Sequence, residues 1–311
     1  MSRANRSRSS RLGVLAALGA NLLFGFTNLF SVLILEAGIP PLVILSVRFT
    51  IAFALLNLLW GLRAMPLHLR GKHPLRLLPL ALAQPVCYFT FETYGLQMVP
   101  SSAAGVIVSL VPVFVLIACL LLGRAQPTRL QILFSLLAVI GVIVFKLIGD
   151  SGEGGSTVRW LGLLLLLLAV LSSTVFNLQT NRLAADFSPF ERTYVMFGVS
   201  AISFHLMAWM TLGGGYGAAL VAVFASPRLI GSVLYLAVAA SVFAFLLYNY
   251  ATSVIDPVRA TSFSCIIPIC SLVAGIVFLH ERVSLPQLLC CLLIIGSVYG
   301  VNRFVRPQKK T

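Results

Sequence analysis

Residues 102–122 read SAAGVIVSLVPVFVLIACLLL, an apolar run with a proline near its middle and no charged side chain. A bilayer core of about 30 Å needs about 20 apolar residues at 1.5 Å of helical rise each, so this stretch is long enough to cross one. An offset of 156 lays a second apolar run, 258–279, on the first and superimposes Pro112 on Pro268. Apolar length and internal repetition together direct the reading of the whole chain.

Similar runs recur along all 311 residues. Ten candidate spans lie at 12–35, 42–62, 77–98, 102–122, 130–148, 159–181, 190–212, 228–253, 258–279 and 285–304. The connections are short and carry Pro40-Pro41, Pro66, Pro100, Pro127, Pro189, Pro227, Pro257 and Pro286. Of the residues, 59% are hydrophobic and 10% charged, against roughly 25% charged in soluble domains. Mean hydropathy is +1.01. Lipid is therefore the solvent for most of the chain, and backbone groups in lipid must pair within helices. The expected fold is all-α, a polytopic membrane protein of ten transmembrane helices.

The formal charge of +14 raises the question of nucleic acid, and its placement answers it. With a cytoplasmic N-terminus, only Lys146, Arg159, Arg228 and Arg282 fall outside, Arg48 falls within a span, and the other basic residues fall inside. Such a bias is a topology signal, and basic residues at both ends require an even number of spans. No nucleic-acid partner is expected. The expected location is the cytoplasmic membrane, multi-pass, with both termini cytoplasmic. The basic start followed by a long first apolar run reads as a retained span rather than a cleaved leader. Six cysteines lie in apolar runs and read as small buried hydrophobes.

The offset of 156 also pairs Tyr94 with Tyr250, Ala104 with Ala260, Gln131 with Gln287 and Leu136-Leu137 with Leu292-Leu293. Earlier in the chain, an offset of 149 pairs Gly13 with Gly162, Ala20 with Ala169 and Asn28 with Asn177. The polar stretch at 150–158 separates the copies. The expected organisation is a basic tail at 1–11, a first five-helix repeat at 12–149, a linker at 150–158, a second five-helix repeat at 159–305 and a basic tail at 306–311. With five spans per copy, the second copy enters the membrane upside down relative to the first. Inverted repeats place a solute site at their interface and expose it to each side in turn.

The stretch from Pro100 through Pro112 to Phe114, and its counterpart from Pro257 through Pro268 to Glu281, resemble the EamA-type domain of the drug/metabolite transporter superfamily. The Arg48-Phe49 pair also fits. The resemblance implies ten helices, cytoplasmic termini, and export or exchange of small metabolites or drugs. The first copy departs from the pattern, with Arg124-Ala125 where a glutamate is expected. This departure weakens any transport role for Glu281, which reads as a helix-end and loop residue.

Polar groups inside spans are costly, so each is a functional candidate. Glu92 and Arg48 lie about 12 and 9 Å from the same membrane face, counted at 1.5 Å per residue. They are expected to face one cavity, either as a fixed ion pair or as an anchor for an anionic group and a proton carrier or amine partner. Pairing would argue against proton coupling through Glu92. Tyr94, Tyr248 and Asn249 read either as solute contacts or as part of an interfacial aromatic belt. Asn21 and Asn28 line the cavity or join helices, and Asn177 reads first as a helix contact. His205 is either packed and hydrogen-bonded or a proton relay. Thr261 and Ser264 add polarity near Pro268. Pro112 and Pro268 remove backbone donors and are expected to kink two pathway-lining helices.

No phosphate loop, hydrolase elbow or zinc motif is present, so no catalytic residue, metal or other cofactor is expected, and the chain is not read as an enzyme. The expected function is secondary transport of a small metabolite, amino acid or drug-like solute by alternating access, with a coupling proton or counter-solute. A lipid flippase or scramblase on the same scaffold, or a membrane-embedded lipid enzyme, are the rival readings. A homodimer is the candidate assembly.

Overall fold

The computed structural model describes residues 3–69, 71–122, 128–150, 159–255 and 262–304. Of the linker expected at 150–158, Asp150 ends a helix and 151–158 lie outside the described residues, as do the tail at 306–311 and Thr261. The described residues form helices and no strands. Six helical stretches are long and apolar enough to cross a membrane: Arg11–Leu35, Pro41–Gly61, Ser101–Leu121, Trp160–Thr180, Pro189–Ala222 and Pro227–Val254. Shorter apolar helices cover Arg129–Phe145, Phe263–Phe278 and Leu285–Val301.

Several spans are built from two pieces. Helices α1 (Arg3–Gly25) and α2 (Thr27–Leu35) meet at Phe26, and α1 takes up most of the basic stretch expected as a tail. Helix α3 (Pro41–Gly61) is continuous, with Pro41 in its first turn, where a missing N–H costs nothing. The segment expected as the third span is broken. A short α4 (Leu78–Ala81) gives way to a π-helical stretch, Leu82–Cys87, in which Gln84 is extended ahead of Pro85, and α5 (Tyr88–Leu96) follows. Helices α6 (Ser101–Val108) and α7 (Val111–Leu121) divide at Ser109-Leu110, so Pro112 stands in the first turn of a new helix rather than in a bent one. Helix α8 (Arg129–Asp150) closes the first half.

The second half repeats this plan with α9 (Trp160–Leu183), α10 (Pro189–Leu212), α11 (Tyr216–Ala222), α12 (Pro227–Leu234), α13 (Ala244–Val254), α14 (Ile266–Phe278) and α15 (Leu285–Arg303). A second π-helical stretch, Tyr235–Phe243, joins α12 to α13 and overlaps the 156-offset image of the first. The paired glutamines have a local explanation. Gln131 and Thr128 cap α8 reciprocally, as Gln287 and Ser284 cap α15.

The most extensive helix contacts join α8 to α15, α3 to α10, α1 to α13, α6 to α14 and α5 to α9, each linking one half to the other. The pairs α8–α15 and α3–α10 join equivalent elements, α6 and α14 belong to equivalent spans, and the contacts α1–α13 and α5–α9 are images of each other, as they would be about a two-fold axis. Glycines make two equivalent approaches possible. Gly13 lies against Val254 and Ile255, and Gly162 lies against Met98 and Val99, their images under the two offsets. An aromatic cluster of Phe49, Phe89, Phe197, Phe204 and Phe245 fills the centre, with ring centroids 5.2–6.3 Å apart in its contacting pairs. Large apolar side chains such as Leu121, Leu136, Leu164, Ile202 and Leu289 are exposed on the outside, an arrangement suited to lipid contact.

Candidate functional site

A cavity of about 100 Å³ lies between the two halves. Asn21 and Phe24 reach it from α1, Thr27 and Asn28 from α2, and Gln84, Tyr88, Phe89 and Glu92 from the broken third span. Gly105, Val108, Ser109, Val111 and Pro112 line it where α6 passes into α7. The second half contributes Ser173, Phe176 and Asn177 from α9, Phe245 and Tyr248 from α13, and Ser264 and Ile267 from the start of α14.

Several lining residues are images of one another. Asn28 matches Asn177 at the offset of 149, and at 156 Phe89 matches Phe245, Glu92 matches Tyr248, Val108 matches Ser264 and Val111 matches Ile267. The symmetry is broken at one chemically decisive place, where a carboxylate faces a phenol.

Glu92 is 4% exposed, and its Oε1 accepts a hydrogen bond from Tyr88 Oη at 2.7 Å. One helical turn separates the two residues on α5, so the local fold presents both to the cavity. Ion pairs among the described residues are Lys72–Glu191 and Arg76–Asp186, and Glu92 forms none. Of the two alternatives expected for Arg48 and Glu92, the direct ion pair is not formed. Arg48 does not line the cavity. Its guanidinium lies 4.2 Å from the Phe89 ring centroid and 5.2 Å from that of Phe49, and its Nε donates to Ser241 Oγ at 2.8 Å. Arg48 thus sits over aromatic faces and grips the second π-helical stretch, while the opening of that helix leaves Ser241 Oγ donating to the Leu236 carbonyl.

Opposite Glu92, Tyr248 Oη donates to Asn177 Oδ1 at 2.9 Å, and Asn177 Nδ2 donates to the Ser173 carbonyl at 2.8 Å. Asn177 therefore serves both as a helix contact and as cavity lining. Asn28 Nδ2 lies 3.5 Å from both the Ser101 carbonyl and Ser271 Oγ. Asn21 Nδ2 donates to the Ala17 carbonyl at 2.7 Å.

Other expected site residues lie elsewhere. Asn249 is fully buried against α10, its Nδ2 donating to Thr193 Oγ1 at 3.0 Å while its backbone carbonyl accepts from Arg192 Nη2 at 3.1 Å. Tyr94 packs into the apolar core rather than the cavity wall. His205 bonds Thr50 Oγ1 at 2.7 Å and the Tyr216 hydroxyl, away from the cavity, which fits the packed reading. Pro268 is buried next to the lining residue Ile267. Glu191 and Arg192 are buried in the first turn of α10. The aromatic lining of Phe24, Tyr88, Phe89, Phe176 and Phe245 was not singled out by sequence. The same offset that pairs the prolines would have flagged Phe89 and Phe245. Among the described residues, no group of three His, Cys, Asp or Glu is arranged to hold a metal.

A duplicated helical bundle with lipid-facing apolar surfaces and a solute-sized chamber at its internal interface is a multi-pass membrane transporter in class. The chain belongs to the EamA-like transporter family, which matches residues 11–147 and 160–303 and so recognises each half separately. It is 31% identical to "Uncharacterized transporter YcxC" of Bacillus subtilis (strain 168), over 96% of this chain and 94% of that one. It is 27% identical to "Probable terminal-alkyne amino-acid exporter" of Streptantibioticus cattleyicolor, over 72% of this chain and 69% of that one. A crystal structure at 18% identity superposes with a TM-score of 0.58, covering 93% of this chain and 95% of that one, and so shares the fold. Membership of this family identifies the chain as a transporter of small molecules rather than an enzyme.

Proposed function

We propose that this protein is a secondary transporter that exports or exchanges a small amine-bearing solute, such as an amino acid, across the cytoplasmic membrane by alternating access. In this reading the chain crosses the membrane ten times in two inverted five-helix repeats. Both termini are cytoplasmic, in keeping with the bias of basic residues. The observation that carries the substrate chemistry is Glu92, a buried carboxylate with no ion-pair partner among the described residues, set in a chamber walled by aromatic rings. A carboxylate and aromatic faces together suit an ammonium group. Asn28, Asn177 and Ser173 supply amide and hydroxyl groups for the polar remainder of the solute.

The volume supports a small cargo. About 100 Å³ is well below the roughly 300–1,000 Å³ of pockets for drug-sized ligands. The name of the Streptantibioticus relative points the same way. The drive is a coupling proton or a counter-solute, and Glu92 can serve both solute and proton if the two occupy it in turn.

The test is counterflow in proteoliposomes with labelled amino acids and amines, alongside fluorescent lipid analogues. Accumulation of an amine-bearing solute that falls at least tenfold in Glu92→Gln supports the proposal. Movement of lipid without solute, or undiminished counterflow in Glu92→Gln, removes it.

A further inference from the structure

A bare carboxylate is costly in a chamber closed to water, and that cost falls on Glu92 whenever the solute has left. Glu92 is 4% exposed and accepts a hydrogen bond from Tyr88. Two arginines are buried among the described residues. Arg192 is engaged elsewhere, its Nη1 and Nη2 donating to the backbone carbonyls of Thr180 and Asn249 at 3.2 and 3.1 Å. Arg48 is 1% exposed and interacts electrostatically with Glu92 without forming an ion pair.

The Arg48 guanidinium is sparsely held. Its Nε–H reaches Ser241 Oγ at 2.8 Å, and its Nη2 is buried with no acceptor. The centroid of the Phe89 ring lies 4.2 Å from it. Phe89 lines the chamber and Arg48 does not, so this one ring partitions the cation from the chamber. Glu92 follows Phe89 by three residues on α5, which puts ring and carboxylate on one helix face. The anchor is also replaceable. Ser241 lies in the second π-helical stretch and itself donates to the Leu236 carbonyl at 2.8 Å, so it keeps a partner when Arg48 leaves. A guanidinium that moves from Ser241 to Glu92 exchanges a neutral acceptor for a charged one, and such a hydrogen bond is roughly twice as strong.

We infer that Arg48 is an internal counter-cation: once the solute has left, its guanidinium passes the Phe89 ring and takes the ammonium's place at Glu92, so that the empty protein reorients with its carboxylate neutralised. The inference rests on the amine-transport and alternating-access reading given above. The arrangement described here, with Glu92 facing the chamber and Arg48 held aside, is then the one that receives solute. A proton or counter-solute adds drive, but the return step requires neither. Arg48 is on this account a positioning residue, which competes with the solute for one carboxylate and touches no solute itself.

Proteoliposomes loaded with one labelled probe at a time, each common amino acid and ethanolamine, test it. Valinomycin and nigericin in symmetric potassium clamp the potential and the pH. Two rates are read: exchange, against unlabelled probe outside, and net efflux, into solute-free buffer. A probe that the wild-type protein exchanges is expected to leave by net efflux as well. Arg48→Met is expected to keep exchange within about threefold and to lose about tenfold or more in net efflux. Arg48→Lys, which keeps a cation, should recover most of that efflux. Ser241→Ala frees the guanidinium to compete, and should raise the KM for exchange about threefold with the maximal rate unchanged. This last readout does not depend on the folding of the Arg48 variants. Equal loss of exchange and efflux in Arg48→Met is what a merely structural arginine gives, and it overturns the inference. So does undiminished net efflux in Arg48→Met, an unchanged KM in Ser241→Ala, or a wild-type protein that exchanges without net efflux, and the amine reading survives each of these. Exchange that is absent, or that persists in Glu92→Gln, removes the amine reading and the inference together.

Discussion

Glu92 and Arg48 are the two buried charges nearest the cavity, and they do different work. Glu92 faces the chamber and holds one hydrogen bond, from Tyr88. Replacing it by glutamine keeps an acceptor for that bond and removes a costly buried charge. Glu92→Gln is therefore expected to leave thermal stability within about 1 kcal/mol or raise it while transport is lost, which separates function from folding. Arg48 lies behind the aromatic wall, with one guanidinium nitrogen, Nη2, buried and unbonded. Its hydrogen bond and cation–π contacts contribute about 2–5 kcal/mol together, and burying the ion costs several, so the terms nearly cancel. Arg48→Met should be close to neutral in thermal denaturation, whereas Arg48→Ala, which also leaves a void, should cost about 2–4 kcal/mol. Equal losses in both would show that the charge itself holds the helices.

Helix ends and breaks show how local signals become architecture. Glu191 completes the capping box of α10 with Ser188 and also accepts from His68 N–H at 3.1 Å and Lys72 Nζ at 2.7 Å. This one carboxylate ties the segment after α3 to the start of α10. Glu191→Ala should cost about 2–3 kcal/mol, since it orphans several donors at once. Lys72→Ala should cost at most about 1 kcal/mol, because the lysine side chain is 34% exposed and water can replace its partner. Chemical denaturation of both variants checks the ordering. Gln131 and Gln287 read in sequence only as matching repeat positions and Pro112 as a kink, although caps and prolines act through neighbours a few residues away and leave a local signal. The break at Gln84 has a local signal in Pro85, but it sits among strong apolar residues that read as one continuous span.

Across the whole molecule, the two halves interlock so that each major helix contact crosses from one to the other. The topology reading predicts that reporters fused at the two ends of the chain both respond as cytoplasmic. Activity on opposite sides would require an odd number of crossings and undo the five-plus-five arrangement. Apolar length, the bias of basic residues and the repeat offset are properties of the chain itself, since the bilayer imposes the first two and duplication left the third. From them the sequence by itself determined an all-helical membrane protein in two copies, and it singled out Glu92, Asn28 and Ser264, which meet at the cavity. Only the tertiary structure decided the rotation of each helix. It turned Arg48, Asn249 and His205 away from the chamber and Phe89, Phe245 and Tyr88 toward it. The physical reason is that lipid and protein interior are both apolar, so a span such as α3 or α5 carries apolar side chains on every face. Periodicity then no longer marks an inside, and close packing against the other half makes the choice.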